Sequence, residues 1–268
     1  MTPDEHKAAG RALFEAERDG RQIGLLSLAH PGMSLDDAYA VQAALVAHRK
    51  EAGRRVIGWK IGLTSRAMQD ALKIDTPDSG VLFDDMLFED GAEIPAGRFI
   101  QPRIEAEIAF LMKAPVSGGD VTREAVLDAT EAVAPSLEIL DTRILRADPA
   151  TGKARVITDT ISDNAANAGI VLGRQRHDPR AVDLRWAGAI VKRDGVVEET
   201  GLGAGVLDDP VTGIVWLVRR LAQYGQGLAA GEVVLSGSFV RPVEAPPGSR
   251  FDADFGGFGA VSVSFAKA

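Results

Sequence analysis

Apolar side chains recur at every second position through residues 103–112: Ile104, Ala106, Ile108 and Phe110. A period of two predicts a β-strand with that face in the core. The opposite phase places Glu105 and Glu107 side by side on the other face. The same mixture returns in "APSLEILDTRI", where Glu138 stands among Leu137, Ile139 and Leu140 in a second predicted strand.

Elsewhere the pattern changes character. Residues 3–19 are helix formers opening on Asp4 and Glu5, which suit a helix N-terminus. "SLDDAYAVQAALVAHRKEAG" predicts a second helix, with Ser34 as N-cap and Asp36 and Asp37 in the first turn. Its apolar stripe is Leu35, Ala38, Tyr39, Val41, Gln42 and Leu45, and Gly53 stops it. From Arg54 the chain turns β-branched and glycine-punctuated. "RRVIGWKIGLTS" predicts a strand, "RAMQDALKI" a short helix, and "DTPDSGVLFDDMLF" a turn entering a strand. "TREAVLDATEAV" predicts a helix capped by Thr122, and "LRADPATGKARV" a polar loop, a candidate mobile segment.

Downstream, short strand-like runs from "AGIVLG" to "AVSVSFA" are split by glycines. One helix interrupts them, "PVTGIVWLVRRLAQY", turning Trp216, Leu217 and Leu221 toward a core. Strand–helix alternation is not sustained, so a closed or rolled sheet is expected rather than a doubly wound parallel one. The expected class is α+β: a helical N-terminal region over residues 1–55, then a mixed, mostly antiparallel β-domain over 56–268.

Composition narrows the function. With 46% hydrophobic and 25% charged residues, the chain is ordinary globular material. The net charge is -8 and no Lys/Arg run stands out, so no nucleic-acid partner is expected. No apolar run approaches the ~18 residues of a membrane span, so no membrane partner is expected either. The chain has no cysteine, which removes disulfides, thiolate metal sites and Cys nucleophiles. The charged N-terminus lacks an apolar signal core, and a cytoplasmic location is expected. Of His6, His30, His48 and His177, the first and third lie in charged helical surroundings and the last in a polar loop, and no G-x-S-x-G is present to support a Ser-His-Asp mechanism.

The glutamates remain. Two neighbouring carboxylates repel, and burying them unpaired costs several kcal/mol. Arg103 on the same phase, another basic side chain, or a hard divalent cation would relieve them. A lone E-x-E is ordinarily a solvated face of an edge strand. Glu138 in a second apolar strand shifts the balance, because three carboxylates without histidine suit Mg²⁺ or Mn²⁺ and leave about three octahedral positions open. Lys60, in "GWKIG", is either an edge-strand lysine or an electrophile held in an apolar wall. Asp78, in "TPDSG", is a turn residue by default.

"GWKIGLTS", "DTPDSGVLFDDM", "QPRIEAEIAFLM", "PSLEILDTRI" and "DTISDNAANAG", in that order, resemble the bacterial 2-hydroxydienoate hydratase and 4-oxalocrotonate decarboxylase family, within the fumarylacetoacetase C-terminal-domain superfamily. The resemblance runs from about residue 20 to the C-terminus. It implies a mixed β-roll, Glu105, Glu107 and Glu138 as ligands of Mg²⁺ (or Mn²⁺), and Lys60 and Asp78 facing a small 2-oxo acid. It also implies a homo-oligomeric ring, a pentamer or decamer. Arg241 in "SGSFVRP" stands where monocarboxylate-specific members look apolar, and a cation there fits a substrate with a second carboxylate. Hydration and decarboxylation of such an acid need nearly the same residues, so both stay open. Hydrolysis of an acylpyruvate would need a His–Glu pair that the sequence does not place. A non-catalytic scaffold subunit would have no reason to keep three glutamates in apolar strands.

Overall fold

The computed structural model describes residues 1–66, 69, 70, 74 and 76–268. Three helices come first: α1 (Pro3–Arg18), α2 (Leu26–Ala29) and α3 (Leu35–Glu51). Ser34 caps α3 as its sequence predicts. Its hydroxyl accepts from the Asp37 amide (3.1 Å), and the Asp37 carboxylate accepts from the Ser34 amide (2.8 Å). Ala38, Val41, Gln42 and Leu45 are buried, but Leu35 lies outside the stripe and is 42% exposed.

The strands follow as β1 (Val56–Gly62), β2 (Asp78–Phe83), β3 (Leu87–Glu89), β4 (Glu93–Ile94), β5 (Arg103–Met112) and β6 (Val116–Ser117). Helix α4 (Arg123–Ala129) leads into β7 (Thr130–Leu140), and α5 (Ile157–Ser162) into β8 (Asn167–Leu172). Then come β9 (Gly188–Arg193), β10 (Val196–Leu202), α6 (Pro210–Ala222), β11 (Gly227–Leu228), β12 (Val233–Ser238), β13 (Val243–Glu244), β14 (Arg250–Asp254) and β15 (Ala260–Phe265).

The larger sheet runs β2-β1-β12-β5-β7-β8-β3, with β13 also on β5. A second sheet runs β10-β9-β14-β15-β4. Pairing is antiparallel except β1–β12, β3–β8 and β4–β15. The mixed, mostly antiparallel architecture expected from the sequence is therefore present. One face of the larger sheet carries Ile104, Ile108, Phe110, Leu137 and Ile139 into the main core, against Phe251, Val261 and Val263 of the second sheet and Ile214 and Leu217 of α6. No helix of the described residues is long and apolar enough to cross a membrane.

Two local readings need correction, and the polar loop between them is closed by its own contacts. The helix opened by Thr122 stops at Ala129; Thr130–Val133 extend β7 instead, because pairing with β5 (Phe110 to Val133, Met112 to Thr130) outweighs a weak helical pattern of β-branched residues. "LRADPATGKARV" closes on itself through an Ala147–Ala154 bridge, with Asp148 accepting from the amide and hydroxyl of Thr151. Helix α5 was not expected. The short helix expected over "RAMQDALKI" falls largely outside the described residues.

The opposite face of the larger sheet is covered by α3, α5 and the turn Asn164–Ala166. Gln42 on α3 donates to the carbonyls of Ser79 and Ile161 (2.9 Å each). All three turn residues are left-handed, with φ of 54°, 52° and 57°. Such conformations cost non-glycine residues roughly 1–2 kcal/mol each. Two devices impose them. Asn164 bonds both ways to the Val81 main chain (2.8 and 2.9 Å). Arg143, 1% exposed, clamps both ends of the turn: its main-chain amide (2.8 Å) and guanidinium reach Asp163, and the guanidinium also reaches the Asn167 carbonyl (3.1 Å). Removing Asp163 would strand a buried guanidinium. Asp163→Ala should lose about 3–5 kcal/mol of stability, read as a lower urea midpoint with an unchanged slope.

Candidate metal centre and substrate cavity

Antiparallel register brings the glutamates together. Glu105 on β5 is paired directly with Glu138 on β7, and Glu107, two residues on, shares their face. One carboxylate oxygen from each lies within 4.8 Å of the others. Glu107 is 1% and Glu138 0% exposed. Burial and the neighbouring charge of Glu138 push the Glu105 carboxyl up to about 8 and raise Glu107 well above the ordinary carboxylate range. Without a counter-charge this cluster would hold protons rather than three negative charges.

The outer contacts are set for a cation. Glu107 accepts the Gly237 amide through Oε2 (2.8 Å), and Glu138 accepts Asn167 Nδ2 through Oε1 (2.7 Å). The remaining oxygens, Glu107 Oε1 and Glu138 Oε2, are buried with no hydrogen-bond partner among the described residues. Glu107 and Glu138 are thus each oriented through one oxygen and leave the other free, as outer donors do for metal ligands. Three hard oxygen donors without nitrogen or sulfur fit Mg²⁺ or Mn²⁺.

Lys60 joins them from β1. It shares the glutamates' face because β12 carries the register across, with Lys60 beside Leu235 and Leu235 beside Ala109. Its Nζ lies 3.4 Å from Glu138 Oε1 and donates to the Ala165 carbonyl (3.1 Å). Burial opposes its charge, but Glu138, Asp78, Glu105 and Glu107 outweigh it and hold the ammonium protonated above its ordinary value. Asp78 opens β2 opposite Gly62. Burial raises its carboxyl to about 6, against the pull of Lys60. Asp78 Oδ1 is buried and unpartnered among the described residues. A Cβ on Gly62 would meet that oxygen at 2.2 Å and Lys60 Nζ at 3.1 Å, so this glycine makes room for both charges.

Lys60, Asp78, Glu105 and Glu107 line a cavity of about 570 Å³ that also touches Arg103, Arg155, Phe239 and Arg241. Glu138 lies fully buried beside them. The expected residues thus converge, except that Arg241 stands at the rim. Its side chain is 81% exposed and paired with Glu199 (2.6 Å). Arg103 does not lie between the glutamates but turns to Glu244 (2.9 Å); Lys60 supplies the near cation. Reading the sequence did not single out Asn167, Gly237, Gly62 or the turn carbonyl of Ala165. The glycines and asparagines of "SGS" and "DNAANAG" were the available signal.

No family model matches the chain. It is 47% identical over 260 residues to the 2-oxo-hept-4-ene-1,7-dioate hydratase of Escherichia coli, covering 97% of both chains. The 4-oxalocrotonate decarboxylase from Pseudomonas putida G7, solved with magnesium and adipate, superposes with a TM-score of 0.92 at 30% identity, covering 99% of this chain and 98% of that one. The fumarylacetoacetate hydrolase of Exiguobacterium antarcticum shares the fold at 15% identity, with a TM-score of 0.59 over 80% of this chain and 76% of that one. The chain belongs to the 2-hydroxydienoate hydratase and 4-oxalocrotonate decarboxylase family, on the fumarylacetoacetase-like fold.

Proposed function

We propose that the chain is a hydro-lyase that adds water to 2-oxohept-4-ene-1,7-dioate, or its dienol, giving 4-hydroxy-2-oxoheptane-1,7-dioate. In a cell this serves catabolism of homoprotocatechuate, a 4-hydroxyphenylacetate product, after meta-cleavage. The observation that carries the reading is the three-glutamate cluster at a cavity lined by Lys60 and Asp78, in a chain nearly half identical to a hydratase of this name. Glu105, Glu107 and Glu138 are the proposed ligands of Mg²⁺, with Mn²⁺ as a substitute. When bound there, the ion would supply Lewis acidity to the 2-oxo acid end of the substrate.

The remaining work falls to side chains. Lys60, held protonated, fixes a positive charge and donors where negative charge develops at the 2-oxygen. Asp78, with its carboxyl near 6, takes a proton from the attacking water and returns one beside the carbonyl. Arg241 at the rim attracts the far carboxylate. Protonation of the dienol at C5, with loss of the enol proton, places the double bond between C3 and C4 in conjugation with the 2-oxo group; water then adds at C4, the carbon that this conjugation makes electrophilic, and a proton is delivered to C3.

A decarboxylase on the same site is the second reading, favoured by the superposition on 4-oxalocrotonate decarboxylase. Release of CO₂ from the seven-carbon diacid would select it. A 2-oxopent-4-enoate hydratase differs only in preferring the five-carbon monoacid. We further propose a cytoplasmic homo-oligomer, a pentamer or decamer. Trp186, Ile190 and Leu202, exposed around β9 and β10, offer apolar surface for a second copy. The division at residue 55 is proposed on the separate small core of Leu13, Val41 and Leu45.

Four outcomes test this function. Thorough chelation should stop loss of dienol absorbance and Mg²⁺ should restore it; Glu138→Gln should lower metal-dependent turnover by more than about 100-fold while the fold survives. Turnover that persists after chelation would remove the metal from the reaction. In metal-free protein Glu105 and Asp78 bind protons at higher pH than in the unfolded chain, so the folded state is favoured at low pH and loses that advantage as pH rises through about 6 and then 8. Melting temperature should therefore fall between about pH 5 and pH 8.5, and Mg²⁺ should restore more of it at the alkaline end. Arg241→Ala should raise KM for the diacid more than for 2-hydroxypenta-2,4-dienoate.

A further inference from the structure

Arg155 lines the same cavity as the glutamates, yet no carboxylate among the described residues pairs with it. Its guanidinium makes one hydrogen bond there, from Nη1 to Thr142 Oγ1 (2.9 Å). The other two arginines of the cavity are neutralised, Arg241 by Glu199 and Arg103 by Glu244. Arg103 nevertheless keeps its Nε buried and without a partner. Asp163, the strongest opposing charge on Arg155, is already committed to Arg143. Burial lowers Arg155 below its ordinary value, and Arg103 and Arg143 add repulsion. Burial, Arg103 and Arg155 together push Arg146 down to about 10. Arg155 thus stands in the wall of the cavity as a half-buried positive charge with no carboxylate of its own, in the cavity that Glu105 and Glu107 also line.

Such a guanidinium is an anion site, and its planar fork suits a carboxylate. Arg155 is also held in place. Its amide donates to the Arg146 carbonyl (2.9 Å), at the base of the turn closed by Ala147 and Ala154. We propose that Arg155, with Arg103 beside it, receives the second carboxylate of a dicarboxylic 2-oxo acid whose 2-oxo end lies at the glutamates. The assignment rests on the function proposed above and deepens it. Arg241 meets the diacid at the rim, and Arg155 sets the preference for it over a monoacid.

The test compares Arg155→Met and Arg155→Lys with the unaltered enzyme in Mg²⁺, on the seven-carbon diacid and the five-carbon monoacid. Arg155→Met should lower the ratio of kcat/KM for diacid over monoacid by roughly 10- to 100-fold, the loss expected for a charged hydrogen-bonded pair. Arg155→Lys should recover part of it. A second readout needs no turnover. The extra thermal protection that 2-oxoheptanedioate gives over 2-oxopentanoate should disappear in Arg155→Met. A ratio and a protection difference equal to those of the unaltered enzyme would overturn the proposal, as would equal losses on both acids, the mark of a merely structural contact with Thr142. If the unaltered enzyme rejects the diacid or releases CO₂ from it, the hydratase reading fails on its own. The thermal-protection comparison then still decides Arg155.

Discussion

Glu105 faces Glu138 across an antiparallel pair, and Glu107 follows on the same face. Like charges directly opposite destabilise a sheet, and here they are also buried. The register cannot slip to relieve them. A one-residue shift would carry Ile104, Ile108 and Phe110 out of the main core. The hydrophobic face therefore enforces the repulsion on the other face, and the surroundings of the glutamates answer to it. Lys60 supplies a near cation, Asn167 and Gly237 fix one oxygen each, and two oxygens are left bare. Apolar burial on one side of the sheet thus holds a cation-seeking arrangement on the other.

The cover over this face has a matching logic. Lys60 can sit beside Glu138 because nothing larger than hydrogen stands at Gly62 and Gly80. The turn carrying Asn164 approaches so closely that a Cβ on Gly80 would lie 2.5 Å from the Asn164 oxygen. That approach is secured from behind by Arg143 and from the side by the N-terminal helices. Ser27 donates to Asp159 of α5 through amide and hydroxyl, and Gln42 ties α3 to both β2 and α5. The helical N-terminal region is thereby part of the support for the site, though it contributes none of the glutamates.

Much of this was legible in the chain. The alternation of Ile104 to Phe110 showed the strand and its two faces, and Ser34 marked a helix start that the hydrogen bonds reproduce. The pairing of Glu105 with Glu138 was not legible locally, since residues 33 apart meet through sheet register; only their shared apolar context hinted at it. Helix α5 was hidden because "ITDTIS" is rich in β-branched residues, and packing against α2 and α3 overrides that preference. The left-handed turn was hidden for a different reason. Positive φ is ordinarily signalled by glycine, and Asn164, Ala165 and Ala166 carry none. Arg155 read as one more charge in a polar loop, because exposure is a property of the folded chain.

That turn also decides how the lysine can be altered. The neutral acceptor of Lys60 is a main-chain oxygen, that of Ala165. Every amino acid carries the same oxygen, so no side-chain exchange at residue 165 deletes it. Adjusting this one contact by mutagenesis must work through geometry, by letting the loop relax. Replacing Ala165 with glycine would change no functional group near the lysine, only the stiffness with which its carbonyl is presented.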